Sequence, residues 1–335
     1  RADQLAALAP GPLTATVDLP PFQSRASLTL WEGPPTLNED RPCASLGSLA
    51  WLGLAAGDLY GLSPQAGLRR CDGTNLRGTP KNQIGLYSLT CTALDRTVVC
   101  ASQKAAPEVV RCGGDACERL DLPDLTVGNP AFSLAGGGDT LAVYGAATSP
   151  QLYALSAAGA QPLVLDGGVL EVMRLAIGDL NRDGAADLVA ISSTGEVAIY
   201  LREGTRLVRE PARSQSARDA LAGVPLNAKD TVGPFIGDID HDGYADLVFQ
   251  SGADLRWVAG LSDGGFYDYA RQIVSGAFAN VRPLALGDVD GDCRSDVVGL
   301  STEADKNVPV VLRGRRPDGR PGTCSTAGAA ADLGP

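Results

Sequence analysis

Histidine is nearly missing from this chain: His241 is the single copy in 335 residues. With His241 set inside an acidic loop, no other histidine is left for a Ser-His-Asp triad, a Cys-His pair or a His-ligated metal site. No Cys-x2-Cys spacing occurs, and the nearest cysteine neighbours, Cys112 and Cys117, do not supply a zinc site. No run of 18 apolar residues exists, so no helical membrane span is predicted. Aromatic residues make up 5% of the chain. Trp31, Trp51 and Trp257 do not recur in phase with any repeat, which weakens the idea of one sugar-stacking pocket per repeat; Trp31 and Trp51 read as packing residues instead. Basic residues are outnumbered, 28 Lys and Arg against 39 Asp and Glu, for a formal charge of −11. That balance argues against nucleic acid and anionic membrane surfaces as partners. Phosphate-cradling and dinucleotide glycine patterns are missing from any strand-to-helix setting. Gly136, Gly137, Gly138 and Asp139 read as a turn between strands.

What the chain does contain is one acidic nonapeptide in three copies, at 179–187, 238–246 and 288–296. Positions 1, 3, 5 and 9 are Asp179, Asn181, Asp183 and Asp187, then Asp238, Asp240, Asp242 and Asp246, then Asp288, Asp290, Asp292 and Asp296. Position 7, able to offer its backbone carbonyl, is Ala185, Tyr244 or Arg294. Oxygen donors at alternate positions of a tight loop are what Ca²⁺ asks for. Position 6 is Gly184 or Gly243, which allows the left-handed turn over the ion, but Cys293 in the third copy. Either a disulfide holds Cys293 in that geometry or the third site is distorted.

The EF-hand shares this opening but needs Glu at position 12 between two helices. Here position 12 is Ala190, Phe249 or Gly299, and apolar runs flank each loop, so these loops join strands. One copy could be a bare Asp-Gly hairpin turn. Three copies in one context predict about three bound Ca²⁺, since the carboxylates would otherwise repel one another. Three divalent ions would also offset about half of the net charge. His241 falls at position 4, where side chains point outward, and reads as a solvated loop residue.

A hydrophobic-Gly pair precedes each copy: Ile177-Gly178, Ile236-Gly237 and Leu286-Gly287. With it, the pattern over about residues 170–312 resembles the FG-GAP and VCBS repeats of integrin α-subunit β-propellers and their bacterial relatives. The flanking FG and GAP dipeptides are missing, which places the resemblance nearer the bacterial VCBS form. It implies loops whose calcium is structural, joining strands on one face of a propeller. It also implies ligands that meet the opposite face or the rim.

Spacing agrees with a propeller. Asp179 to Asp238 is 59 residues and Asp238 to Asp288 is 50, a period that holds several short strands. The first repeat offers strands at 172–177, 188–191, 197–201 and 207–210. The second offers 232–236, 247–250, 255–259 and 266–269, and the third 284–286, 297–300 and 308–312. Strand pairs at 47–52 with 58–62, 97–101 with 108–112, and 140–144 with 151–155 keep the rhythm in the first half. At about 48 residues per blade, the expectation is an all-β, seven-bladed β-propeller, with six or eight blades left open. The segment 13–19 is expected to pair with the last blade. The chain reads as one domain, 1–335: disulfide-stapled blades over 1–168, three calcium-loop blades over 169–312 and an irregular tail over 313–335.

Eight cysteines point to an oxidising compartment. Connectivity is not readable from sequence, but local spacing favours Cys91–Cys100, Cys112–Cys117 and Cys43–Cys71, leaving Cys293–Cys324. The chain is read as a processed, mature product that works outside the cell, at its surface or in the periplasm, its signal peptide removed. Three functions compete. The preferred one is a non-catalytic binding or adhesion module for a protein or carbohydrate ligand, held on the face or rim away from the calcium loops. The others are a carbohydrate-active enzyme, lyase or hydrolase, and a lectin. No acidic pair at a diagnostic spacing marks a catalytic site. Ser262, Asp263 and Gly264 faintly resemble a sialidase Asp-box but read as a hairpin turn.

Overall fold

A computed structural model describes residues 14–15, 28–29, 49–55, 58–63, 67–71, 89–94, 96–102, 107–113, 116–126, 132–145, 149–167, 172–224, 226, 231–239, 243–261, 264–266, 271–274, 281–287, 289, 295–303 and 306–312. The short strands β1 (Thr14–Ala15) and β2 (Leu28–Thr29) pair with each other. The described part of segment 13–19 therefore does not pair with the last sheet.

Six antiparallel sheets follow in chain order. The first holds β3 (Trp51–Ala55), β4 (Asp58–Ser63) and β5 (Gly67–Arg70). The second holds β6 (Leu89–Ala93), β7 (Val98–Ser102), β8 (Val109–Gly113) and β9 (Ala116–Arg119). The third holds β10 (Phe132–Gly137), β11 (Thr140–Gly145), β12 (Gln151–Ser156) and β13 (Gly159–Asp166). The fourth holds β14 (Val172–Gly178), β15 (Asp187–Ser192), β16 (Val197–Glu203) and β17 (Arg206–Arg209). The fifth holds β18 (Thr231–Gly237), β19 (Asp246–Ser251), β20 (Asp254–Val258) and β21 (Arg271–Val274). The sixth holds β22 (Val281–Gly287), β23 (Asp296–Glu303) and β24 (Lys306–Leu312). The end of β13 also pairs in parallel with β17, Val164 opposite Arg206, which fuses the third and fourth sheets along their outer edges.

The second strands are buried along nearly their whole length, as in Asp187–Ser192 and Val98–Ser102. A strand covered on both faces needs apolar side chains on both, which is why these segments read as continuous hydrophobic runs. The covers are the neighbouring sheets. Six hydrophobic clusters mark six seams, between the first and second sheets and so on round the molecule. The sixth joins the last sheet to the first: Leu49, Leu52 and Leu59 pack on Val298, Leu300 and Val311. The Leu49 N–H donates to the Asn307 carbonyl at 3.1 Å across the same seam. The chain is thus an all-β propeller. Its sheets number six among the described residues, where dividing the whole length by the repeat gives seven. The described ring runs from 49 to 312 and meets itself across that seam.

The described residues contain one α-helix, α1 (Pro211–Ala220), which the sequence reading did not foresee. It lies in the longer of the two repeat intervals. Pro211 opens it, as suits a first-turn position. Its buried face is Ser214, Ala217 and Ala220, wedged between the fourth and fifth sheets. The described fourth strand of the fifth sheet is 271–274; of the expected strand 266–269, residues 267–269 lie outside the described residues. Phe266 bridges to Gly260, and its carbonyl accepts from the Ser216 hydroxyl at 2.8 Å.

Cys91–Cys100 and Cys112–Cys117 are disulfides, each joining residues directly opposite in the second sheet. Cys71 is also disulfide-bonded. Cys43, Cys293 and Cys324, with the tail 313–335, lie outside the described residues. No helix among the described residues is long and apolar enough to cross a membrane.

Candidate functional site

The three acidic segments occupy one topological position. Each connects the first and second strands of its sheet, β14 to β15, β18 to β19 and β22 to β23. The register is the same in all three: Gly178 lies opposite Asp187, Gly237 opposite Asp246 and Gly287 opposite Asp296. Consecutive sheets therefore carry their acidic loops on one side of the ring.

The position-9 carboxylates, Asp187, Asp246 and Asp296, are each 0% exposed. One oxygen of each accepts the N–H of loop position 2: from Leu180 at 2.9 Å, Ile239 at 2.8 Å and Val289 at 2.9 Å. In two loops the other oxygen accepts an N–H just after or near the end of the third strand, from Arg202 and Gly260, both at 2.8 Å. Each such Asp pins its loop to the sheet beneath. Burial pushes the Asp187 carboxyl up to about 6, against the two N–H bonds, and the neighbouring Asp183 and Asp179 push it further up.

The first loop is described throughout. Asp179 accepts N–H groups from Asp183 at 3.2 Å and Gly184 at 2.9 Å. Asn181 Oδ1 accepts from Asp183 at 3.1 Å, and Asp183 Oδ1 from Ala185 at 2.8 Å. The Asn181 amide nitrogen donates to Asp183 Oδ2 at 3.0 Å. Gly184 adopts φ +83°, and so does Gly243 of the second loop, the left-handed turn that position 6 requires. In the second loop the Gly243 N–H donates to Asp238 at 2.9 Å, the equivalent of the Gly184–Asp179 bond. Asp240, His241 and Asp242 lie outside the described residues, as do Asp288, Asp290, Asp292 and Arg294 of the third loop.

The donor chemistry suits a hard cation. All side chains at positions 1, 3, 5 and 9 carry oxygen donors. No group of three or more Asp, Glu, His or Cys converges closely enough to hold an ion among the described residues. In the first loop the oxygens accept the loop's own N–H groups.

Two features of the site were not read from sequence. The glycine before each loop is a seat for the next sheet. A Cβ on Gly178 would lie 2.8 Å from Ile236, on Gly237 3.2 Å from Leu286, and on Gly287 2.3 Å from Leu54. Gly137 takes the same role in the third sheet, where a Cβ would lie 2.1 Å from the Ile177 carbonyl oxygen. The hydrophobic-Gly pair thus interlocks neighbouring sheets, each aliphatic residue seated on the preceding glycine. The second feature is Arg182. It is exposed, holds φ +63°, and places its guanidinium 5.5 Å from the centre of the Tyr244 ring in the next loop.

Elsewhere, Trp51 packs into the seam between the first and second sheets, and Trp257 belongs to the core between the fifth and sixth. The Leu261 N–H donates to the Gly265 carbonyl and the Gly264 N–H to the Leu261 carbonyl, both at 2.9 Å; Ser262 and Asp263 lie outside the described residues. Gly138 and Asp139 form the tight β10–β11 turn, while Gly136 and Gly137, expected in it, are the last residues of β10.

The FG-GAP-like repeat model matches residues 179–249 and again 238–299. Residues 179–299 thus carry FG-GAP-like repeats. No curated protein matches the sequence. Among solved structures, the Photorhabdus luminescens Tc holotoxin pore is similar at 16% identity and a TM-score of 0.44, over 83% of this chain and 14% of that one. The Malassezia sympodialis allergen Mala s 1 is similar at 10% identity and 0.47, over 78% and 91%. AofleA from Arthrobotrys oligospora is similar at 14% identity and 0.46, over 80% and 83%.

Proposed function

We propose that this chain is a calcium-stabilised, non-catalytic binding module that works outside the cell or in the periplasm. The carrying observation is the threefold recurrence of one acidic loop in one register, each with a wholly buried position-9 Asp. Such repetition suits a structural staple better than a single reacting centre. Asp179, Asn181, Asp183, the Ala185 carbonyl and Asp187 would hold an ion in the first loop, with the matching residues in the other two. The ion supplies a fixed double positive charge. The residues meanwhile tie the first strand of each sheet to the second and fix the loop edge of the ring. Partner binding then falls to the opposite face or the rim, for a protein or a glycan. The burial of Trp51 and Trp257 in seams removes two candidate sugar platforms and favours a protein. The two disulfides of the second sheet suit an oxidising location.

Calcium calorimetry on the full chain tests the reading. About three ions are expected, and Asp238→Ala should remove one while leaving partner binding intact. An unchanged stoichiometry in that variant refutes the ligand assignment. Release of products from a polysaccharide would replace the binding module with an enzyme.

A further inference from the structure

We propose that Arg182 couples the first acidic loop to the second, so that an ion held in one is felt by the other. The proposal rests on reading the loops as cation sites, and it concerns two residues at the seam between sheets. Arg182 is position 4 of the first loop. Its φ of +63° is a conformation that non-glycine residues adopt at a cost. That backbone, set by the bonds of Asp179 and Asn181 to the next N–H groups, accompanies a side chain that crosses to the second loop. There the guanidinium lies over Tyr244 and so close to Gly243 that a Cβ on that glycine would sit 3.2 Å from Arg182 Nη1. Tyr244 is position 7 of its loop, whose backbone carbonyl is a ligand in the proposed site. Gly243 donates to Asp238, position 1. Arg182 therefore braces the backbone that presents two ligands of the neighbouring loop. An ion that orders the first loop fixes the brace, and the second loop then loses less freedom when it binds.

Repulsion between the guanidinium and an ion in the second loop acts the other way. It is long-ranged and screened by salt, with a Debye length of about 8 Å at physiological strength and shorter at higher salt. The ring contact is short-ranged, so the bracing should dominate at about 0.5 M NaCl.

The experiment uses the full chain in that salt and follows hydrogen exchange of peptides covering 238–246 as calcium is added. Asp179→Ala, which disables the first loop, should raise the calcium midpoint of the second about two- to fivefold, the scale of a surface cation–ring contact. Arg182→Gly should raise it by a similar factor, although glycine relieves the left-handed backbone, so the loss cannot come from strain. In the double variant the two effects should not add. Additive effects, or a second-loop midpoint untouched by either single change, overturn the coupling. Should Asp179→Ala fail to fold, Arg182→Gly alone decides through that midpoint. If no peptide responds to calcium, the cation reading fails. Exchange at Gly243 and Tyr244 in chelator then still judges the brace: faster exchange in Arg182→Gly supports it, and an equal rate refutes it.

Discussion

The first three sheets and the last three solve one problem in two ways. Each must return the chain from its first strand to its second. In the first half the hairpins close directly, with Ala55 opposite Asp58, Ala93 opposite Val98 and Gly137 opposite Thr140. Backbone bonds such as Leu94 to Thr97 satisfy the turn. In the second half residues 179–186 and their equivalents intervene, and carboxylates take over as acceptors for the loop N–H groups. A tight turn is complete within the backbone. An acidic loop satisfies its backbone by gathering negative charge, and so leaves an electrostatic debt that a cation can settle. Among the described residues the paired cysteines fall in the first half, where the second sheet carries two disulfides. The halves should therefore fail under different insults.

Chelation gives the largest separation. Removing calcium should cost about 4 kcal/mol for each loop held at a thousandfold excess over its Kd. Hydrogen-exchange protection should fall across 172–312 while 89–120 keeps most of its own. Equal loss in both halves would end the comparison. Next in size is Gly137→Ala, whose new methyl would meet the Ile177 carbonyl, a backbone atom that cannot rotate away. We expect a loss of about 3 kcal/mol in urea unfolding. Gly287→Ala should cost less, because it meets the mobile end of Leu54. If Gly287→Ala proves the costlier, flexible side chains are not what relieves the seam.

Replacing both cysteines of either second-sheet disulfide by serine should cost about 2 to 3 kcal/mol, with no change in calcium stoichiometry. A changed stoichiometry would show that the two staples are not independent. The smallest effect is alkaline. Tyr153 is 2% exposed, and its hydroxyl donates to the Pro123 carbonyl at 3.0 Å. Burial pushes this phenol up from 10.0 to about 12, with Asp124 adding to the push. The folded chain keeps the proton over a range where the unfolded chain has released it. Its contribution is full below pH 10 and is lost as pH rises to about 12, on the order of 2 kcal/mol. Tyr153→Phe should flatten that part of the pH–stability curve; an unchanged slope assigns it to another group.

Much of this architecture was legible in the residues. The loops declared themselves because one acidic spacing recurs three times, and the buried second strands because both faces need apolar cover. The two local disulfides followed from short spacing across hairpins. Helix α1 was illegible because its buried face is Ser214, Ala217 and Ala220, too small to print a hydrophobic rhythm. The partners of Phe266 were not legible either: it meets helix α1 and bridges to Gly260, contacts that need the folded neighbour. The parallel β13–β17 pair joins segments some forty residues apart and leaves no local mark. The hydrophobic-Gly pairs were visible, yet their purpose needed the neighbouring sheet: a glycine facing a buried Asp in one sheet is also the socket for an aliphatic knob from the next.

The seam where Leu54 sits on Gly287 has a mechanical consequence. Every other pair of adjacent sheets is also linked by the running backbone; the first and last meet through side-chain packing and the Leu49–Asn307 bond. Tension drawn between the two ends of the ring would load this clasp before any other joint, and release there would turn a closed disc into an open crescent.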